Sequence, residues 1–456
     1  MRGKSEREYV LAVLTEIRSR QTYSHIAVRQ VLDEAEKEGL SAQERAFIKR
    51  LAEGIIERQT ELDGVIASHT RKGTRIKPVI RDILRMGIYQ ILYMDAVPDA
   101  AACNEAAALT KAQGKAGLTG FVNAVLRTVA REHAAGKYAD AQADASMPAW
   151  IADLWREQLG EDEAQALICA MIKVRPVTIR VDERLDEQER TMLLSSMREA
   201  GAELTPGRFL PYAFDLRALA SIGTLPGFQK GQWAVQDESS MLVAEAAGLT
   251  GNETVYDLCA APGGKSLHCA AKLAAAGGKG MVHAFDLSGA KTKLIRQNAE
   301  RMQLSNIAVL ERDARIPFTG EEREKADVLI CDLPCSGLGV MGHKRDIKYR
   351  VEPQQLRELA QLQRQILKAG VTALKPGGTL IYSTCTINRG ENEEIASYIE
   401  EELGLVPDAL APFLPSGVTG IRGNRLQLLP SVHGTDGFFI ARFTRAAMPH
   451  GGDHAK

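Results

Sequence analysis

Aromatic residues make up only 5% of this 456-residue chain, with tryptophan occurring three times. Cysteine is scarce as well. There are seven, an odd number, with no Cys-x-x-Cys pair and no histidine near metal-ligand spacing. That argues against a disulfide framework and against a zinc site, so no metal is expected and a reducing, cytoplasmic setting fits. Long apolar runs are missing too. None reaches the ~18 residues needed to cross a bilayer, and the opening MRGKSEREYV lacks the apolar centre of a signal peptide. Charge of one sign is also lacking. The net charge is −1, so no global basic field advertises a nucleic-acid partner. What is present is a composition of 45% apolar and 25% charged residues, as in soluble globular proteins. The length suggests about three domains.

Residues 5–133 carry apolar positions at helical spacing, in EYVLAVLTEI, HIAVRQVLDEAE, AFIKRLAEGIIERQTELDGVIAS, VIRDILRMGIYQILYM and GFVNAVLRTVARE. An all-α domain over residues 1–138 is expected. The polar, Ala-rich HAAGKYADAQADAS reads as a linker. Residues 145–235 mix a short strand (VTIRVD), an amphipathic helix (EQERTMLLSSMREAG) and a further strand (FQKGQWAVQD), which suggests a small α+β module. From residue 236 to 446 short apolar runs alternate with helical ones. TVYDLCA, MVHAFD, IAVLE, DVLICDL and GTLIYSTC are the strands, with GFFIARFTR as a last one. Such alternation predicts an α/β, Rossmann-like domain with a parallel sheet covered by helices on both faces. Pro376-Gly377-Gly378 is expected to separate a helix from the next strand, and residues 447–456 read as a disordered tail.

The stretch VYDLCAAPGGKS, residues 255–266, ends like a phosphate-binding P-loop. A P-loop requires glycine five residues before the Gly of Gly-Lys-Ser, and that position is Cys259. Pro262 stiffens the turn, and no G-x-G-x-x-G pattern replaces it. What remains is strand, Gly-rich turn, helix. Gly263 and Gly264 let a ligand lie against the backbone, and the helix N-terminus behind them favours a carboxylate. Asp286 closes the next strand, where a carboxylate accepts hydrogen bonds from the two hydroxyls of a ribose. Asp313 follows the third strand, where it could meet an adenine amino group. Asp332 ends the fourth. A ligand with a ribose and a carboxylate but no phosphate fits S-adenosylmethionine.

Two cysteines stand at strand ends on the same side, Cys335 in DLPCSG and Cys385 in YSTCTINRGENEE. Most buried cysteines are inert small hydrophobes, which suits Cys103, Cys169, Cys269 and Cys331. It suits Cys335 and Cys385 less well. Methylating carbon 5 of a cytosine needs a thiolate to add at carbon 6, because carbon 5 alone is too weak a nucleophile. A thiol of pKa ~8.5 is mostly protonated at neutral pH, so the surroundings must help. Asp332 could bind the protonated ring nitrogen 3 as electron density builds there.

CAAPGGK, DLPCSG and STCT, in this order, resemble the RNA cytosine-5 methyltransferase family. The resemblance implies that Cys385 is the nucleophile and that Cys335 assists product release. DNA cytosine-5 methyltransferases use the Pro-Cys thiol as nucleophile instead, so the presence of both thiols points to RNA. It further implies a cofactor loop of Cys259, Ala260, Ala261, Pro262, Gly263, Gly264 and Lys265, completed by Asp286, Asp313 and Asp332. SAQERAFIKRLAEGIIER, LRMGIYQILYM and TGFVNAVLR are similar to the NusB-type RNA-binding domain. WAVQDESSML and LLPSVHGTDGFFIARF also resemble family segments, so the likeness spans nearly the whole chain. A NusB-like domain ahead of this catalytic domain implies that the small α+β module also binds RNA. It implies a substrate cytosine in 16S ribosomal RNA, naked or in an early assembly intermediate.

Two basic stretches are candidate RNA contacts. One holds Arg71, Lys72, Arg75 and Lys77. The other, after Cys335, holds Lys344, Arg345, Lys348 and Arg350, with Tyr349 available to stack on a base. Two alternative readings stand beside the first: a DNA cytosine-5 methyltransferase, and a non-catalytic RNA-binding or antitermination protein.

Overall fold

The computed structural model describes residues 4–138, 146–173, 175–218 and 222–447. The expected tail, and most of the polar part of the expected linker, lie outside the described residues. The chain divides into two compact units, one of residues 1–173 with 343–350, the other of residues 174–342 with 351–456.

The first unit is helical: α1 (Glu6–Arg20), α2 (Ser24–Lys37), α3 (Ala42–Glu57), α4 (Gln59–Ser68), α5 (Pro78–Tyr93), α6 (Asp99–Ala112), α7 (Thr119–Ala134), α8 (Ala149–Leu159) and α9 (Glu161–Met171). Local chemistry explains several ends. Ser41 caps α3 in a capping box with Glu44, and Pro78 occupies the first turn of α5, where its missing N–H costs nothing. The apolar stripe read as one long helix over residues 46–68 is two, broken at Arg58. Ile48, Leu51, Ile55, Ile83, Ile88, Leu126 and Val129 share one buried core. α3 and α5 pack closely because Gly54 lies under the Tyr89 ring, where an added Cβ would fall 2.0 Å from a ring atom.

Residues 343–350 form a strap belonging to this helical unit, which differs from the expected RNA-gripping loop. The Arg345 guanidinium pairs with Glu57. Lys348 is buried and donates to the Ser146 carbonyl at 2.8 Å. Tyr349 donates to the Glu57 carbonyl at 3.1 Å. Arg350 bonds Asp346 at 2.6 Å and the carbonyls of Gln21 and Thr22 at 2.8 and 2.5 Å. Burial lowers the Lys348 pKa to about 8 despite Glu57 beside it. The physical reason for the difference is the supply of carboxylates and free carbonyls on α2, α3 and their flanks. These satisfy the strap's donors within the protein. Of its lysines and arginines only Lys344 is exposed.

The second unit begins with a four-stranded antiparallel sheet in the order β2-β3-β1-β4: β1 (Val177–Val181), β2 (Glu203–Pro206), β3 (Ala213–Arg217) and β4 (Trp233–Val235), with α10 (Glu187–Glu199) against it. α10 starts at an Asp186–Glu189 capping box and stops before Gly201, whose φ is +85°. β2 and β3, with sequences ELTP and AFDLR, are not legible as strands because neither alternates cleanly. This sheet is docked on the larger one through named contacts. Arg184 donates to the Met302 and Gln303 carbonyls at 2.5 and 3.2 Å, and Arg301 donates to the Phe228 carbonyl at 2.7 Å. A Cβ on Gly231 would lie 2.2 Å from the Arg301 carbonyl oxygen.

Then follow α11 (Glu238–Ala246), β5 (Thr254–Asp257), α12 (Gly264–Ala275), β6 (Met281–Asp286), α13 (Gly289–Arg301), β7 (Ile307–Glu311), β8 (Ala326–Asp332), α14 (Pro353–Gly370), β9 (Leu374–Thr384), α15 (Glu393–Glu401), β10 (Val406–Pro407), β11 (Arg425–Leu428), α16 (Pro430–His433) and β12 (Phe438–Thr444). The sheet runs β10-β12-β9-β8-β5-β6-β7, with β11 also on β12. β5 to β9 are parallel as expected, but β12 is antiparallel to β9 and carries β10 and β11 antiparallel. Pro376-Gly377-Gly378 does not precede β9. It is a bulge inside it, where the register with β8 jumps from Ala326–Leu374 to Val328–Thr379 and Gly377 takes a φ of +78°. The strand order reverses at β5 and β8, and in open α/β sheets ligands bind where the order reverses, beyond the strands' carboxyl ends.

Candidate active site

The turn after β5 is laid against β6. Ala260 N–H donates to the Phe285 carbonyl at 2.8 Å, and Ala261 N–H to Asp286 at 3.2 Å. Gly263 then takes a φ of +108° and caps α12 without any side-chain bond. The first N–H groups of a helix have no intrahelical acceptor, so α12 presents open donors at this turn. Asp257, which ends β5, is buried and accepts from Ser266 at 2.5 Å, tying the first turn of α12 to the strand. Burial raises its pKa to about 7, with Asp332 adding to the rise. Spacing alone does not mark Asp257 as important. Its only sequence signal is an acid closing the strand before the Gly turn.

Asp286 is buried at the end of β6 and makes only long contacts on its other oxygen, 3.4 Å to Ser288 N–H and 3.6 Å to the Lys291 ammonium. It retains acceptor capacity for a ribose. Asp313 is held by Arg315 at 2.6 Å. The hydrogen bonds from Arg315 lower its pKa to about 2, and an adenine amino group would compete with Arg315 for it. Open helix donors, two glycines and a buried strand-end carboxylate together fit S-adenosylmethionine.

Asp332 ends β8 and is bonded from both sides. Lys265 of α12 donates to it at 2.7 Å and Ser383 of β9 at 2.9 Å. Burial alone would lower the Lys265 pKa, but Asp332 first and Cys385 after it outweigh burial and raise it. Lys265 is therefore a fixed positive charge that senses Cys385, an attraction that works both ways. This is a partner the sequence placed in the cofactor loop without a role toward the thiols.

Cys335 and Cys385 are partly exposed, and their sulfurs lie 3.4 Å apart. The hydrogen bond with Cys385 comes first, and burial second, in raising the Cys335 pKa well above its ordinary value; the Cys385, Glu391 and Asp332 charges add to this. Cys335 is thus kept a protonated thiol. The remaining cysteines behave as the apolar reading expected for Cys103, Cys269 and Cys331, which are buried; Cys169 is half-buried. Below the two thiols lies a buried polar cluster of Ser336, Gln363, Thr386, Asn388, Glu391 and Asn392. Sequence reasoning gives it no role, although the run NRGENEE directly after an apolar strand carries the signal.

Elsewhere in this unit Glu183, Glu245 and His268 come together beneath α12. The Lys272 ammonium lies between the two carboxylates at 3.0 and 2.7 Å, the place a metal cation would take. In the helical unit, Arg71, Lys72, Arg75 and Lys77 are exposed and, among the described residues, reach no carboxylate. Arg71 and Lys72 line a cavity of ≈ 390 Å³ with Thr70, Gly73 and Arg81. No helix among the described residues is long and apolar enough to cross a membrane.

Comparison with known proteins agrees with this architecture part by part. Residues 246–444 match the family described as 16S rRNA methyltransferase RsmB/F, residues 4–131 the NusB family, and residues 147–222 the ferredoxin-like domain of RsmF/B-like methyltransferases. A Bacillus subtilis protein named probable ribosomal RNA small subunit methyltransferase B is 37% identical, over 96% of this chain and 98% of its own. A Synechocystis protein of the same name is 33% identical over 97% and 100%. Among solved structures, one titled as PH0851 has the same fold at a TM-score of 0.78 and 23% identity, covering 97% of this chain and 99% of that one. A methyltransferase homologue from Pyrococcus horikoshii reaches 0.52 at 27% identity, over 65% and 94%. With end-to-end identity at this level and all three domain types in the same order, the chain belongs to the ribosomal RNA small subunit methyltransferase B family.

Proposed function

We propose that the protein transfers a methyl group from S-adenosylmethionine to carbon 5 of a cytosine in 16S ribosomal RNA, through a covalent bond between Cys385 and the base. The observation that carries this reading is the pair of thiols 3.4 Å apart at the ends of β8 and β9, beside the Lys265–Asp332 ion pair. Residues 259–265 and Asp286 would hold the cofactor, with Asp313 near its adenine, and the cofactor would supply an electrophilic methyl group.

The target base must leave any stack to reach the thiols. The Cys385 thiolate adds to carbon 6, and the electron pair of the 5,6 double bond becomes available at carbon 5. Asp332, fixed in place by Lys265 and Ser383, accepts a hydrogen bond from the protonated ring nitrogen 3 as density builds there. After methyl transfer a base takes the proton from carbon 5, the C–H pair re-forms the 5,6 double bond, and the Cys385 sulfur leaves as thiolate with the pair of its bond to carbon 6. Cys335 assists this release. RNA is held by Arg71, Lys72, Arg75 and Lys77, with Lys344 as a further contact. Arg345, Lys348 and Arg350 are engaged by protein partners and serve the strap.

The test uses the full chain with unmodified 16S rRNA transcript and labelled S-adenosylmethionine. Cys385→Ala abolishes label transfer. Cys335→Ala instead accumulates a denaturant-stable protein–RNA adduct. Label transfer by the Cys385 variant, or free turnover by the Cys335 variant, overturns the division of labour. Bisulfite mapping of the transcript after reaction reports whether the methyl group is on carbon 5 of a cytosine.

A further inference from the structure

Glu391 is fully buried, and its two oxygens accept four hydrogen bonds. Oε2 takes the Ser336 N–H at 2.8 Å and Gln363 Nε2 at 3.4 Å. Oε1 takes the Ser336 hydroxyl at 2.6 Å and Asn388 Nδ2 at 3.0 Å. Ser336 follows Cys335. Pro334, which precedes it, is held by the same Gln363 amide at 2.9 Å through its carbonyl. The link then crosses to the other thiol. Ser336 Oγ lies 2.7 Å from the hydroxyl of Thr386, the residue after Cys385. Ser336 has one hydroxyl proton, and Glu391 accepts it, so Thr386 must donate to Ser336. Donation therefore runs one way, Thr386 to Ser336 to Glu391, and ends on a carboxylate. Glu391 is itself anchored, since the Tyr382 hydroxyl donates to its backbone carbonyl.

We propose that Glu391 is a positioning residue: its carboxylate holds the Cys335 loop and the Cys385 loop in one register so that Cys335 can release the methylated base. This rests on the reading of Cys385 as nucleophile. No neutral isostere can replace the carboxylate. Three of the four groups bonded to Glu391 are N–H donors, so the NH2 of an amide meets at least one of them whichever way it is set. A buried donor left without an acceptor is costly, so the loops separate instead. The charge has a second consequence. It adds to the Cys385 hydrogen bond and burial in raising the Cys335 pKa, although burial raises the pKa of Glu391 as well.

The experiment measures label transfer in a single turnover and the covalent adduct on a denaturing gel, with the full chain, 16S rRNA transcript and S-adenosylmethionine. Glu391→Gln accumulates adduct at least tenfold above wild type while single-turnover transfer falls less than adduct release does. Combining it with Cys335→Ala adds no further adduct, because both act on one step. Glu391→Asp, which keeps a carboxylate, recovers part of the turnover. Wild-type turnover by Glu391→Gln overturns the proposal, and so does loss of transfer without adduct in a variant that melts like wild type. If Glu391→Gln does not fold, Ser336→Ala decides, since it removes the hydroxyl link and leaves the N–H bond. It accumulates adduct, and an absence of adduct there overturns the proposal. Cys385→Ala run in parallel separates the two failures. If it is inactive while Glu391→Gln turns over freely, only the positioning role falls. If it still transfers label, the nucleophile assignment falls and the positioning role with it.

Discussion

The charge state of Asp257 bears on the cofactor turn, because the residue is buried at the end of β5 and bonded to the first turn of α12. Its folded pKa of about 7 lies above the 3.8 of a free carboxyl. Between those values the folded chain keeps a proton that the unfolded chain has lost. Stability from this group is therefore fully present below pH ~4 and declines as pH rises towards 7, at up to about 1.4 kcal/mol per pH unit. Asp257→Asn removes that dependence. Relative to wild type, the variant is more stable at pH 8 than at pH 4, a difference that paired thermal melts measure. At this scale the sequence exposed the strand-end acids Asp286, Asp313 and Asp332 and the two thiols, since each stands in a short recognisable motif. It did not expose Asp257 or Glu391, because a buried acid is defined by partners distant in the chain. Ser336 is 55 residues from Glu391, and no local pattern links them.

Among the elements, the loops beyond β8 and β9 are fixed by backbone as well as by side chains. Gly339 N–H donates to the Cys385 carbonyl at 3.0 Å, and Gly437 N–H to the Gly339 carbonyl at 2.9 Å. A Cβ on Gly339 would fall 1.9 Å from the Gly437 carbonyl oxygen and 2.9 Å from that of Cys385. The Cys385 backbone cannot yield without moving its thiol. Gly339→Ala is expected to lower methyl transfer by about 100-fold, the cost of roughly an ångström of misplacement, while cofactor affinity, read by calorimetry, stays within a few-fold. The central parallel strands are legible because they are short, apolar and bounded by helices. The antiparallel edge is not. β12 is as apolar as its neighbours, and only its register with β9 shows its direction. The Pro376-Gly377-Gly378 bulge escapes the sequence for a related reason, since a turn signal inside a strand looks the same as one before it.

Across the whole molecule, basic residues fall into two groups that composition cannot tell apart. The strap cations Arg345, Lys348 and Arg350 have protein partners. Arg71, Lys72, Arg75 and Lys77 are exposed and, among the described residues, free of carboxylates. Replacing these four by alanine is expected to weaken binding of 16S rRNA transcript and to reduce the slope of log K against log salt by up to about 3, at ~0.7 for each phosphate no longer neutralised. Filter binding across a salt series checks it, and an unchanged slope removes the loop from the RNA footprint. Arg345→Ala should act differently, lowering the melting temperature of the helical unit by leaving Glu57 buried without its partner.

The helical, mixed and α/β parts of the chain, and the motifs that carry the two thiols and the cofactor turn, can be read from the amino-acid order alone. All of these depend on periodicity or on residues close together in the chain. Which cations are paired, which way the last strands run, and the buried carboxylate beneath the thiols become visible only in the folded chain. Those depend on contacts between segments far apart in sequence, and burial, not residue type, sets their energy.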